Sequence, residues 1–137
     1  SNPGGDGLQS LKLDDGRTVA EAVADIVAKV GNQPGCIGQR GYSLLGAVVG
    51  ATKPADAVTL RELMPHQLFL VPGFGAQGGG ADDVRACFKP DGTGAIITSS
   101  RGITYAFGNP HEGDADWPGA VEAATVEFRR QIAEILG

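Results

Sequence analysis

The sequence predicts an α/β fold in which parallel strands carry helices on their outer side. Helical segments alternate along the chain with short apolar runs, and the connections between them are short and rich in glycine and proline. Of the 137 residues, 42% are apolar and 20% are charged, which is ordinary for a globular domain. Together these observations favour serial strand–helix units with short connections.

The first half of the chain predicts a helix, a strand and a second helix. Residues 18–30 carry an apolar helical face, and Gly31 supplies a stop. Residues 44–49 form an unalternating apolar run, which is typical of a strand buried on both faces. Residues 54–64 predict a short helix with Pro54 in its first turn. The apolar face of the first helix consists of Val19, Ala22, Val23, Ile26 and Val30.

The second half continues the same alternation. Residues 68–71 predict a second buried strand, and a glycine-rich loop, 73–80, leads into a helix over 81–88. Residues 95–98 predict a third strand, and a long final helix begins near Asp116. This helix is expected to pack through one face, formed by Val121, Ala124, Phe128, Ile132 and Ile135.

Two α/β folds fit this order of elements. A doubly wound sheet can close at this length, whereas a (β/α)8 barrel needs about 250 residues, so three strands would be part of one. Residues 1–5 look like a loop that follows a strand, and that strand is absent from the chain. We therefore expect the chain to be truncated or cleaved.

Composition and charge indicate which partners and which cellular compartment to expect. A net charge of -5 without a Lys/Arg block argues against a nucleic-acid partner. There is neither a signal peptide nor an apolar run near the 18 or so residues of a membrane span, so we expect no membrane partner and a cytoplasmic protein. Cys36 and Cys87 form no CxxC motif, so we expect free, buried thiols with no zinc site.

The most specific segment is 70–79 (LVPGFGAQGG), at the carboxyl end of a strand, where α/β folds bind ligands. Gly73, Gly75 and Gly78 match the dinucleotide pattern GxGxxG, with Asp91 as a possible ribose-binding acid. The pattern lies past the middle of the chain and Asp91 lies in a turn, which weakens that interpretation. The glycines could also serve only a tight turn. An anion site explains more, because Gln77 stands among small residues whose backbone N–H groups can bind an anion.

The next strand end also suits a phosphate. Residues 98–103 place small hydroxyl residues before Arg101, and a guanidinium fork beside backbone donors matches phosphate geometry. Arg101 alone would more often be a surface ion-pair partner. Gln77 and Arg101 on successive strand ends favour the phosphate interpretation, since phosphate sites in barrels often use the loops after the last two strands.

Three strand ends resemble the last three of the orotidine 5'-phosphate decarboxylases, particularly a bacterial branch: 48–52 (VVGAT), 71–79 (VPGFGAQGG) and 99–103 (SSRGI). The resemblance implies that residues 1–137 form the C-terminal half of a TIM (β/α)8 barrel, from the loop after strand five through helix eight, without the N-terminal half. It also implies the substrate-binding residues. Ser1 would contact the pyrimidine ring and Pro72 would lie beside the base, while Gln77, Ser100 and Arg101 would bind the phosphate.

The chain departs from the family in its acid and base residues. Members use an Asp-x-Lys-x-x-Asp segment with a further lysine, and this chain has no such segment, so we expect no catalytic residue in it. Asp14–Asp15, Asp82–Asp83 and the pair Asp114 and Asp116 read better as helix-start or loop carboxylates. His66 and His111 are isolated and are interpreted as solvated or structural.

The resemblance implies an enzyme that converts orotidine 5'-phosphate to UMP and carbon dioxide without a metal or organic cofactor. This chain would supply the ribose-phosphate site and part of the pyrimidine site. A complementary N-terminal half-barrel is the expected partner, and complete barrels are expected to form a homodimer. The alternatives are another phosphate-binding TIM-barrel enzyme and a non-catalytic nucleotide-binding fragment.

Overall fold

The computed structural model describes residues 5–50, 54–74, 81–108 and 116–137. A three-stranded parallel sheet in the order β1-β2-β3 forms its centre. The strands are β1 (Ala47–Val48), β2 (Phe69–Pro72) and β3 (Ala95–Thr98). The helices are α1 (Asp6–Gln9), α2 (Val19–Gly31), α3 (Pro54–Leu63), α4 (Ala81–Arg85) and α5 (Trp117–Leu136), with a π-helical turn at Ser100–Thr104.

The predicted alternation of helices and parallel strands is confirmed, with differences in length. Strand β3 has the predicted bounds, whereas the run 44–49 contributes only Ala47 and Val48 to β1. Before this strand, Ser43 pairs with Ile37 in an isolated antiparallel bridge, and Leu44 is 83% exposed. Helix α4 ends at Arg85, and the sequence did not predict α1 or the π-helical turn.

Within the described residues the strands are buried on one face only. Register places Val48, Leu70 and Ile96 in one row across the sheet, and these side chains are 70%, 41% and 53% exposed. On the opposite face Phe69 and Val71 are fully buried against the helices. The described helices therefore cover one face of the sheet and leave an apolar row on the other.

Helix α2 begins as predicted but packs through a different face. Thr18 and Glu21 form a reciprocal capping box, and Lys29 and Asp25 pair on the solvent side. The buried stripe consists of Ala24, Ala28 and Gly31. The predicted apolar face is instead outward at Val23, Ile26 and Val30, which are 53%, 59% and 47% exposed.

Small residues explain this packing. A Cβ on Gly31 would lie 2.5 Å from the Ser43 hydroxyl oxygen and 2.7 Å from the Gln67 amide nitrogen. Ser43 donates to the Gly31 carbonyl at 2.7 Å, and Gln67 is fully buried. The end of α2 can therefore lie this close to the side chains of Ser43 and Gln67 only because residue 31 has no side chain.

Arg61 on α3 contacts four backbone carbonyls in three connecting segments near the amino-terminal edge of the sheet. Its guanidinium donates to the backbone carbonyls of Met64, Gln67, Cys87 and Gly94, at distances from 2.8 to 3.2 Å. Burial without a carboxylate among these contacts lowers the pKa of Arg61. This role could not be predicted from the sequence, because the partners are backbone carbonyls, two of them 26 and 33 residues further along the chain.

Helix α5 begins near the predicted residue and packs through the predicted side. The Asp116 carboxylate accepts a hydrogen bond from the Gly119 N–H at 3.3 Å. Ile132 and Ile135 pack against the buried core. Among the described helices, none has the length and apolar character that crossing a membrane requires.

Candidate phosphate-binding edge of the sheet

The carboxyl ends of β2 and β3 lie side by side, because Pro72 pairs in register with Thr98. Directly after Pro72, Gly73 has φ = +99°, a left-handed conformation that a residue with a side chain would adopt only under strain. The chain thus turns sharply at the edge where α/β folds bind ligands. Pro72 itself is half-buried there.

The π-helical turn follows β3 at the same edge. Ser100 and Arg101 open this turn, and both are exposed. Gly102 fits because a Cβ there would lie 2.7 Å from the Ser99 hydroxyl oxygen. Single π-helical turns are frequent at functional sites. The structure therefore places Pro72, Ser100 and Arg101 at one edge, as the sequence predicted, with Arg101 accessible to a ligand.

Several predicted site residues lie outside the described residues. These are Ser1, Gln77 and His111, together with two glycines of the GxGxxG pattern, Gly75 and Gly78. The roles predicted for them stay predictions.

A cleft of about 240 Å³ lies behind the two strand ends, against α5. Its walls include Phe74 from the loop after β2, Ser99 and Gly102 from the segment after β3, and Glu127 and Phe128 from α5. Phe74 and Phe128 meet edge-on, with ring centroids 5.5 Å apart. Both segments at the candidate site thus border the same helix.

Glu127 is the charged group of this cleft. Hydrogen bonds from Arg130 and Gln131 lower the pKa of Glu127 to about 2, so its carboxylate is ionised at neutral pH and held on the surface of α5. Its charge is balanced by Arg130. This ion pair borders the same cleft as Ser99 and Gly102, which flank Ser100 and Arg101 in the chain.

Asp91 cannot act with Gly73 in a dinucleotide site. It precedes β3 and lies in the turn at the amino-terminal edge, where its carboxylate accepts hydrogen bonds from the Thr93 N–H at 3.0 Å and the Thr93 hydroxyl at 2.6 Å. These bonds lower the pKa of Asp91. Gly73 lies at the opposite end of the strands, so the structure argues against the nicotinamide interpretation.

The remaining reactive groups have structural surroundings. The exposed His66 has its Nδ1 2.9 Å from the Gly41 carbonyl oxygen, which agrees with a structural or solvated histidine. Cys36 and Cys87 are free; Cys87 is buried, and burial raises the pKa of its thiol to about 11, whereas Cys36 is only half-buried. Within the described residues, no group of three His, Cys, Asp or Glu side chains could hold a metal ion.

The strands form a parallel sheet in sequential order, with helices on one face and the loops after β2 and β3 at its carboxyl edge. This arrangement is that of a partial α/β barrel. No family model matches the chain. An orotidine 5'-phosphate decarboxylase of Rhodopirellula baltica is 45% identical over 136 residues, covering 96% of this chain and 44% of the relative. One of Deinococcus radiodurans is 39% identical over 137 residues, covering 100% of this chain and 45% of the relative.

Solved structures give the same result. The Leishmania donovani OMP decarboxylase matches with a TM-score of 0.70 and 32% identity, covering 98% of this chain and 45% of that one. The UMP synthase of the same organism matches with a TM-score of 0.71 and 34% identity, covering 99% of this chain and 26% of that one. The chain is related along its length to the orotidine 5'-phosphate decarboxylases. It matches a C-terminal portion of their TIM barrel and spans less than half the length of these relatives.

Proposed function

We propose that this chain supplies the phosphate and ribose site, and part of the pyrimidine site, of an orotidine 5'-phosphate decarboxylase. The complete enzyme converts orotidine 5'-phosphate to UMP and carbon dioxide in pyrimidine biosynthesis. The observation that carries the proposal is the pairing of Pro72 with Thr98, because it puts the two family-like strand ends at one edge of the sheet. The similarity to relatives of this name supports the choice of substrate.

Each candidate residue has a proposed role. Ser1 contacts the pyrimidine ring, and Pro72 lies beside the base. Gln77 reaches over the phosphate, Ser100 binds it through its backbone N–H, and Arg101 binds it through the guanidinium. An arginine suits this role because its planar fork can donate two parallel hydrogen bonds to phosphate oxygens. The acid and base groups come from the other half of the barrel.

The uncovered side of the sheet supports a complementary half. We propose that residues 1–137 are a C-terminal half-barrel, from the loop after strand five through helix eight. In a barrel the row of Val48, Leu70 and Ile96 would face the packed interior. In the described residues the outer edges of β1 and β3 also end the sheet, which leaves backbone groups available for pairing. An N-terminal half-barrel meets both needs, and complete barrels then pair as a cytoplasmic homodimer.

Reconstitution tests the division of labour. This chain is co-expressed with the N-terminal portion of the Rhodopirellula baltica relative, and UMP formation is followed by chromatography. We expect UMP and carbon dioxide from the pair and none from either part alone, because the acid and carbanion-stabilising groups are absent from this chain. Turnover by this chain alone contradicts the division of labour, and no turnover by the pair refutes the proposed function.

Replacing Arg101 in the reconstituted pair of half-barrels tests whether this residue binds the phosphate. Loss of a charge-assisted contact to phosphate costs roughly 2 to 4 kcal/mol, so Arg101→Ala should lower kcat/KM for orotidine 5'-phosphate about 30-fold to 1000-fold. Activity on orotidine, which lacks the phosphate, should scarcely change. Gln77→Ala should show the same selectivity with a smaller loss, since a neutral amide makes a weaker hydrogen bond.

The control is Arg129→Ala, which removes another exposed arginine, on α5. It should leave both activities near those of the unmodified pair. Equal losses on orotidine 5'-phosphate and orotidine in Arg101→Ala would mean that Arg101 supports the fold or the base site.

A further inference from the structure

Helix α2 has three sides of different composition. Its buried stripe consists of Ala24, Ala28 and Gly31. On a second side Lys29 binds Asp25 at 2.7 Å, and these charged groups mark the side that faces solvent. The third side is apolar, and it is the side that the sequence predicted as the packing face. A helix on the surface of a domain needs one apolar side, so the second apolar side of α2 has to be explained separately.

The third side is a regular stripe along the helix. Its members, at spacings of four, three and four residues, are Val19, Val23, Ile26 and Val30. At 3.6 residues per turn this spacing places them in one row. Val23, Ile26 and Val30 are exposed. Single exposed apolar residues are common on protein surfaces, whereas a continuous apolar row indicates a contact with another element.

The place of α2 in the helical layer shows where that element would lie. Helix α2 packs against α3, α3 packs against α4, and α4 packs against α5. The strands follow the same order, β1-β2-β3, so α2 stands at the β1 end of the layer. In a (β/α)8 barrel the preceding strand–helix unit stands beyond that end.

We propose that Val19, Val23, Ile26 and Val30 form a docking stripe for a helix of the complementary N-terminal half-barrel. This inference rests on the proposed function, which supplies that partner, and it adds a helical contact to the apolar row of the sheet. The stripe fits a helix that carries apolar residues at the same spacing, because two such helices interlock along their length.

The comparisons argue for this occupant. The chain matches a C-terminal portion of its relatives and covers 44% of the Rhodopirellula baltica protein and 45% of the Deinococcus radiodurans protein. The strand–helix unit that would adjoin α2 therefore belongs to the part of these relatives that precedes the matched portion.

Association with the N-terminal portion of the Rhodopirellula baltica relative tests the docking stripe. Isothermal titration calorimetry gives the dissociation constant of the pair. Ile26→Ala removes apolar surface from the contact and should raise this constant about 3-fold to 10-fold. Ile26→Glu places an unpaired carboxylate there and should raise it at least about 30-fold. Ile26→Leu keeps the apolar volume and should bind like the unmodified chain.

Val58→Glu is the matched control. Val58 is exposed like Ile26, but it lies on α3, which packs against α2 and against α4. Because helices of this chain flank α3, Val58→Glu should leave the dissociation constant unchanged. Both glutamate variants should keep the urea midpoint of the unmodified chain, since both replaced side chains are exposed. Equal weakening by Ile26→Glu and Val58→Glu would overturn the docking stripe, because added negative charge alone would explain it.

Light scattering on the chain alone distinguishes a second copy as the occupant. A dimer that Ile26→Glu dissociates, together with unchanged binding of this variant to the N-terminal portion, would overturn the proposal.

The association and activity readouts separate this inference from the proposed function. A pair that associates with the expected dependence on Ile26 but forms no UMP supports the docking stripe and refutes the proposed function. A pair that forms UMP and binds Ile26→Glu as tightly as the unmodified chain refutes the docking stripe and supports the proposed function. No association of the unmodified chain contradicts both.

Discussion

Replacing Arg61 tests whether its hydrogen bonds to backbone carbonyls stabilise the packing of the successive strand–helix units. A guanidinium has five N–H groups, and Arg61 uses them in five hydrogen bonds to four backbone carbonyls. These carbonyls end α3, follow α4, and precede β2 and β3. The guanidinium also lies over the Phe69 ring, with its central carbon 3.5 Å from the ring centroid. Replacing Arg61 with Met keeps the apolar stem and removes every one of these hydrogen bonds.

The expected cost follows from what the carbonyls lose. A buried acceptor left without a partner costs about 1 to 3 kcal/mol, and water can reach some of these four once the guanidinium is gone. Taking the lower value for each, and less where water enters, gives about 3 to 4 kcal/mol. Removing the charge also relieves its desolvation, which keeps the loss below the simple sum. Because small domains unfold with only about 5 to 15 kcal/mol, this change is a large part of the total.

Urea unfolding followed by circular dichroism measures the effect. The matched control is Arg130→Met, which removes an exposed arginine paired with Glu127 and Glu134 on α5. Its midpoint should stay near that of the unmodified chain, because exposed ion pairs contribute little. Arg61→Lys should fall between the two, since an ammonium cannot reproduce the planar fork. Equal midpoints for Arg61→Met and Arg130→Met would refute the argument that these carbonyls depend on Arg61.

Three further predictions concern packing, thiols and pH. Gly31→Ala should destabilise the chain by about 1 to 3 kcal/mol in urea unfolding, because its Cβ would lie 2.5 Å from the Ser43 oxygen; an unchanged midpoint would contradict this. Cys36 should react with a thiol reagent faster than Cys87 in the folded chain, because Cys87 is buried. Both thiols should react after denaturation without prior reduction. Equal reaction rates of the two thiols in the folded chain would contradict the burial of Cys87. The pKa of Glu127, lowered to about 2 chiefly by Arg130, adds stability above its ordinary pKa of 4.5 that is lost as pH falls toward 2; because the pair is exposed this contribution is small, so Glu127→Gln should flatten the stability profile slightly in that window. An identical pH profile for that variant would contradict it.

The sequence predicted those parts of the fold that depend on local pattern. Strand β3 was predicted with its observed bounds because glycine precedes an apolar run and small hydroxyl residues follow it. The buried face of α2 could not be predicted in the same way. Its larger apolar residues face outward, while Ala24, Ala28 and Gly31 are buried. At Gly31 the close approach of Ser43 and Gln67 favours a residue without a side chain. That preference depends on partners from distant parts of the chain.

The candidate site shows a similar division. Pro72, Ser100 and Arg101 could be assigned to one edge because carboxyl ends of neighbouring parallel strands meet there, and the register confirms that geometry. Their roles toward a ligand stay predictions. The contact between Phe74 and Phe128 had no sequence signal, because it depends on how α5 crosses the strand ends.

The two ends of the strands carry different kinds of residues, and this leads to a final prediction. Arg61 contacts backbone at the amino-terminal edge, whereas Arg101 opens the exposed turn at the carboxyl edge. In (β/α)8 barrels the first edge serves stability and the second binds ligands. In the reconstituted pair, Arg61→Lys should therefore lower the urea midpoint while preserving the preference for orotidine 5'-phosphate over orotidine. Arg101→Ala should lose that preference at an unchanged midpoint. Variants that shift both quantities together would show that the two edges are coupled, and stability and phosphate binding could then not be assigned to separate ends of the sheet.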